Sequence, residues 1–169
     1  PSGDNSAPGT DTAPFATIEH AASQASAGTR IAVAEGTYSG GGYIGELQGT
    51  EDAPIAIVGE GAVTIDGGTS GLQLSDPNYV VLENLTFTGA DQNGLNIDDG
   101  GSYDSPARHL VLRDIVVSDV GDGGNQDCIK LSGVDNFWVM GSDVSDCTGQ
   151  GIDMVGCHEG VITGNAIHD

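Results

Sequence analysis

Lys130 is the only lysine among 169 residues, and it stands inside a pattern that occurs three times. Gly94-Leu95-Asn96-Ile97, Cys128-Ile129-Lys130-Leu131 and Gly151-Ile152-Asp153-Met154 each place apolar residues second and fourth, with a polar residue between them. Strand side chains alternate faces, so Asn96, Lys130 and Asp153 are expected to point outward together, away from the apolar pairs. On neighbouring strands they would form a column with steps of about 4.8 Å. An amine beside carboxylates supports two roles. It neutralises an acidic column formed with Asp127 and Asp153, or it serves as a base with a lowered pKa. Neighbouring carboxylates raise that pKa, so the second role requires another cation to reverse the local field.

The elements that position this column form a longer repeat. Val80–Phe87, Leu110–Val117, Phe137–Val144 and Gly160–Ile167 align; they start at residues 80, 110, 137 and 160, that is 30, 27 and 23 residues apart. Each copy reads as a strand, a tight corner at Asn84, Asp114, Gly141 or Gly164, and a second strand; in the first three, a loop and the column strand follow. Strand repeats of this period imply a β-solenoid, and irregular loops with Asn, Asp and Gly corners favour an all-β, right-handed parallel β-helix. The register pairs Glu83 with Arg113 and stacks Phe87, Val117, Val144 and Ile167 inside. Residues 1–29 read as a loop followed by a capping α-helix over 14–27. Phe15, Ile18, Ala21, Ala22 and Ala25 form its apolar stripe, Thr12 or Thr17 caps its start and Gly28 ends it. Coils occupy 30–169, one domain overall. No second cap follows His168-Asp169, so the natural protein is expected to continue.

Composition narrows the partners. A formal charge of −21 with a pI near 4.1 repels nucleic acid and anionic membranes but attracts hard cations, calcium above all. No apolar run is long enough to span a bilayer. Cys128, Cys147 and Cys157 match no zinc spacing; Cys147 and Cys157 could bridge, or all three could be buried thiols.

The opening resembles secreted β-helix proteins, pectate lyases of family 9 and related polysaccharide lyases in particular. The likeness rests on Pro1-Ser2-Gly3-Asp4-Asn5, Pro8-Gly9-Thr10, Ala13–Ile18, Gly36-Thr37-Tyr38 and Gly49–Ile57. Further on, Asn125–Gly133 resembles the family segment that carries the catalytic lysine, and Gly149–Asp153 resembles its successor. The resemblance implies a secreted protein acting on an acidic, uronic acid polysaccharide. Lys130 would be the base, and calcium would be held among Asp98, Asp99, Asp127 and Asp153. Such enzymes remove the proton on C5 and expel the group on C4, while cations neutralise the uronate carboxylate. Asn96, Trp138, His158, Arg113 and Tyr103 are candidate substrate-binding residues, with Trp138 and Tyr103 as sugar-stacking platforms. C5-epimerisation shares the same intermediate. Asp127 and Asp153 could instead act as the acid and base of a glycoside hydrolase, and a non-catalytic binding or structural solenoid is a third reading.

Overall fold

A computed structural model describes residues 2–102 and 104–169. Among them the chain is an all-β parallel solenoid of about five turns with a single short helix near its start. The first two coils carry long strands, Arg30–Ser39 and Ile55–Asp66, which pair in parallel with one register shift. In later coils the long strand divides at a corner. Asn78–Glu83 is followed by Thr86–Thr88, Ala107–Arg113 by Val116–Ser118, Val134–Met140 by Asp143–Ser145, and Val161–Thr163 by Ala166–His168. These strands make a ten-stranded sheet with a long and a short arm joined through Ile55–Asp66.

The corners fall where the sequence puts them. Asn84, Asp114, Gly141 and Gly164 have φ of 53, 53, 63 and 67°, a region that Gly, Asn and Asp enter at least cost. Asn84 also donates its side-chain amide to Gly59 O at 2.7 Å, tying one corner to the preceding coil.

A second, five-stranded sheet closes the section. It comprises Gly42–Gly45, Ser70–Ser75, Asn93–Asp98, Ile129–Ser132 and Ile152–Val155, one strand per coil. The core lies between the sheets. Leu72, Leu74, Leu95, Ile97, Ile129 and Leu131 enter it from the five-stranded sheet and meet Leu82, Leu110, Leu112 and Val139 from the long arm. Each such buried side chain contributes about 1.5–3 kcal/mol. On the short arm Phe87, Val117, Val144 and Ile167 stack in register, as expected, and Ile65 joins the ladder; Ile167, in the last coil, is exposed and not inside as expected. The Glu83–Arg113 ion pair between adjacent coils is also present.

Two expectations are corrected. The helix spans only Ile18–Ser23, not 14–27. Thr17 caps it, accepting from His20 N at 3.2 Å, but the end comes at Gln24 and not at Gly28. Ala16 N and Thr17 N are gripped by the Asn5 side chain, which holds the approach outside the helix. At the other end Ser26 and Thr29 bond to each other in a turn that leads into Arg30. Ile18 and Ala22 still insert into the core at the start of the solenoid. The second correction concerns the cysteines. Cys128 and Cys147 form a disulfide, with Cα atoms 5.6 Å apart. Cys157 is free and sits after strand Ile152–Val155, near Leu131 O, at the opposite end of the strand from the bridge.

Candidate active site on the five-stranded sheet

Parallel pairing puts Tyr43, Gln73, Asn96, Lys130 and Asp153 in one outward column. Leu95, Ile97, Ile129 and Leu131 are fully buried, so the residue between each apolar pair must emerge on the other face. Asn96, Lys130 and Asp153 are therefore brought together as the sequence implies. Tyr43 and Gln73 are additions. Gly71-Leu72-Gln73-Leu74 repeats the pattern of the other three segments and was a usable signal for Gln73. Tyr43 carried no comparable signal.

Lys130 is held from two sides. Its Nζ donates to Asp127 Oδ2 at 3.3 Å and also to Asp153 Oδ2. Asp127 is 2% exposed. Its other oxygen accepts from Gln150 N at 2.9 Å, so one carboxylate fixes both the amine and the next coil's loop. The hydrogen bond that Lys130 donates to Asp153 pushes its pKa up; partial burial opposes this, and the bond it donates to Asp127 adds to it. Lys130 is thus an ammonium at neutral pH, and it becomes a base only if those carboxylates are drawn away from it.

Asp98 and Asp99 sit beside this cluster and have other partners. Asp98 accepts from Gln73 Nε2 at 2.8 Å, Ser75 Oγ at 2.6 Å and Gly100 N at 2.8 Å. Asp99 accepts from Gly101 N at 2.9 Å. Both act on Asp76, whose carboxyl pKa is raised first by burial and then by Glu46, Asp99 and Asp98. Among the described residues no three His, Cys, Asp or Glu side chains converge on one point. The donors that would suit a hard cation beside Lys130 are Asp127, Asp153 and Asn96. The Asn96 carboxamide oxygen is buried without a hydrogen-bond partner, and oxygen donors from successive coils fit calcium by type.

The remaining candidates lie elsewhere. Trp138 and Arg113 are on the long arm of the ten-stranded sheet, outside the column of Lys130. Outward side chains of two sheets that share one core point away from each other, so neither joins the Lys130 column. His158 occupies the turn after Ile152–Val155, with Nδ1 on Asp135 Oδ1 at 2.9 Å. Tyr103 lies outside the described residues. His109 stacks on Tyr79 with ring centroids 4.1 Å apart, a packing role.

Comparison with known proteins agrees with this architecture. The family model for the right handed beta helix region matches residues 58–169, and one for a protein of unknown function (DUF1565) matches residues 1–77. No curated protein matches the chain. A solved rhamnogalacturonan lyase superposes on the whole chain with a TM-score of 0.64 at 15% identity, a likeness of fold. The chain spans 59% of that structure's length. Among the described residues no helix is long and apolar enough to cross a membrane.

Proposed function

The chain belongs to the right-handed β-helix family, and from that premise we propose that it acts on an acidic polysaccharide by β-elimination, with Lys130 as the base. The observation that supports this reading is the outward column, where the chain's one lysine meets carboxylates of its own and the next coil. The amine of Lys130 takes the proton from C5 of a uronic acid residue. The C–H electrons form the C4–C5 double bond, the C4–O4 bond breaks, and the departing oxygen takes a proton from solvent water while the Lys130 ammonium returns its own to solvent. Calcium, held by Asp127, Asp153 and Asn96, would supply charge neutralisation of the uronate carboxylate. The chain's own contribution is to orient Lys130. Asp127 and Asp153 fix its amine from two coils, and release from them lowers its pKa toward that of a working base. Gln73 and Tyr43 extend the column for further sugars. The Cys128–Cys147 bridge supports an extracellular setting, because disulfides persist in oxidising compartments.

One observation favours a second reading. Lys130 clamped as an ammonium is a structural counter-charge, which suits a solenoid that binds glycans without turnover. A two-carboxylate hydrolase is less well supported, since Asp127 is buried and engaged with both Lys130 and Gln150. Ultraviolet absorbance of unsaturated sugar ends separates these readings. Uronic acid polymers are incubated with wild type and Lys130→Ala, with calcium and with chelator. A rise that needs Lys130 and calcium is expected. No rise on any polymer, from a folded protein with calcium present, would replace elimination with the binding solenoid.

A further inference from the structure

The long arm of the ten-stranded sheet has an outward face unlike the rest of this acidic surface. Register places Arg30, Ala56, Val81, Val111, Trp138 and Val161 on one line along the solenoid axis, spanning roughly 24 Å. Three of the four Lys and Arg residues of a −21 chain, Arg30, Arg108 and Arg113, lie on this arm. The carboxylates in register with or beside these arginines are already engaged. Glu60 pairs with Arg30 and Glu83 with Arg113. Asp135 is the acid in register with Arg108, but its Oδ1 accepts from both His158 Nδ1 at 2.9 Å and His158 N at 3.1 Å.

Asp135 bonds to His158, and Arg108 makes no ion pair with it. Among the described residues Arg108 is the one Lys or Arg side chain with no carboxylate within ion-pair distance, and it is exposed. Trp138 stands one coil on, in register with Val111, three residues beyond Arg108 and past the left-handed His109, so the two Cα positions are roughly 11 Å apart by strand geometry. It is half-buried, with its outward surface on the apolar line.

We infer that this face is a second glycan-binding surface, distinct from the Lys130 column. Trp138 is the stacking platform and Arg108 holds the carboxylate of a uronic acid residue. The argument is charge complementarity on a polarised surface. A polyanion is repelled by most of this protein, and one strand pair of the long arm carries both a free guanidinium and an outward aromatic plane. Guanidinium binds carboxylate in a planar, two-point geometry, and an indole offers an apolar body with a polar edge to a sugar ring. The surface rests on the proposed function only for the class of polymer.

Trp138 is the only tryptophan, so intrinsic emission reports from this face directly. Polygalacturonate is titrated into wild type, Arg108→Gln and Lys130→Ala, with the fully methyl-esterified polymer as the neutral control. Saturable emission changes are expected with polygalacturonate alone and are expected to persist in Lys130→Ala. Binding by Arg108→Gln should weaken about 10- to 100-fold, the loss of one charge-assisted contact. Three results would overturn the inference: equal affinity in Arg108→Gln, loss of the signal in Lys130→Ala, or no response from protein that circular dichroism shows to be folded. Elimination is read separately from unsaturated ends, so failure of catalysis and failure of this surface are distinguishable.

Discussion

The outward faces of the two sheets are built by the same coil-to-coil register, yet they treat their cations oppositely. On the five-stranded sheet one ammonium is shared by two carboxylates, one of them buried. On the long arm a guanidinium has lost its in-register acid to an imidazole from the next coil. A parallel ladder only decides which residues are neighbours; the side chain arriving one coil later decides whether a charge is spent or available. Lys130 is thus tied to the fold's stability, whereas Arg108 is free of it. That contrast can be broken by experiment.

The largest effect is expected at the disulfide. Cys128 adjoins Asp127, and its bridge to Cys147 closes a segment with a separation of 19 residues. Chain entropy for a loop of that size corresponds to about 3 kcal/mol. The Cys128→Ser, Cys147→Ser double variant should lose about that much in urea unfolding. Hydrogen exchange should rise first around Asp127 and Gln150, while the long arm stays protected. Equal loosening of both faces would show that the bridge secures the whole solenoid and not the Lys130 side.

Replacing Lys130 by Met comes next. It leaves buried Asp127 without its cation, a loss of about 1–3 kcal/mol for a partly solvated cluster. The folded-state pKa of Lys130 is raised above 10.5, so its contribution is complete below that unfolded value. It then fades as pH climbs through the raised one. The melting-temperature gap between wild type and Lys130→Met should therefore be constant from neutral pH to about 10 and shrink only in stronger alkali. A gap that closes well below 10.5 would mean the amine is not held as described.

Arg113→Gln and Arg108→Gln sharpen the contrast on a smaller scale. The exposed pair with Glu83 is worth about 0–1 kcal/mol, whereas Arg108 has no pair to lose and its change should fall within about 0.5 kcal/mol of zero. High salt should erase the Arg113 effect and leave Arg108 unaltered. Denaturation midpoints at low and high salt test both together.

Much of this was legible in the sequence because the repeat reports its own register. Once Leu95-Asn96-Ile97 is laid over Ile129-Lys130-Leu131, the column, the Glu83–Arg113 pair, the Phe87 ladder and the Asn84 and Asp114 corners all follow from strand period and turn chemistry. The misses share a different cause. Trp138 and Arg113 were named beside Lys130 as substrate-binding candidates for their side-chain chemistry, but period 2 tells outward from inward and not which sheet a strand joins. The disulfide depended on how two loops meet across a coil, which spacing along the chain does not encode. The helix was read four residues too long at each end, because Asn5 and the Ser26–Thr29 turn, both outside the apolar stripe, set its limits.

The smallest effect tests the acidic rim of the Lys130 face, the inverse of Arg108: carboxylates with no cation among them. Asp76 has its pKa raised above 3.8 by burial and by Glu46, Asp99 and Asp98. For an acid this sign means that the folded state binds the proton more tightly than the unfolded state does. Ionisation of Asp76 therefore costs stability above its folded pKa and costs nothing below 3.8. Asp76→Asn keeps the shape and tolerates the local φ of 52°, so it should raise stability at neutral pH by about 0.5 kcal/mol or less. The gain should disappear as pH falls through the range just above 3.8, and added salt should reduce it at neutral pH. A loss of stability at neutral pH would instead mean that the Asp76 carboxylate has a cation or donor partner at this rim, and that the rim is not the inverse of Arg108.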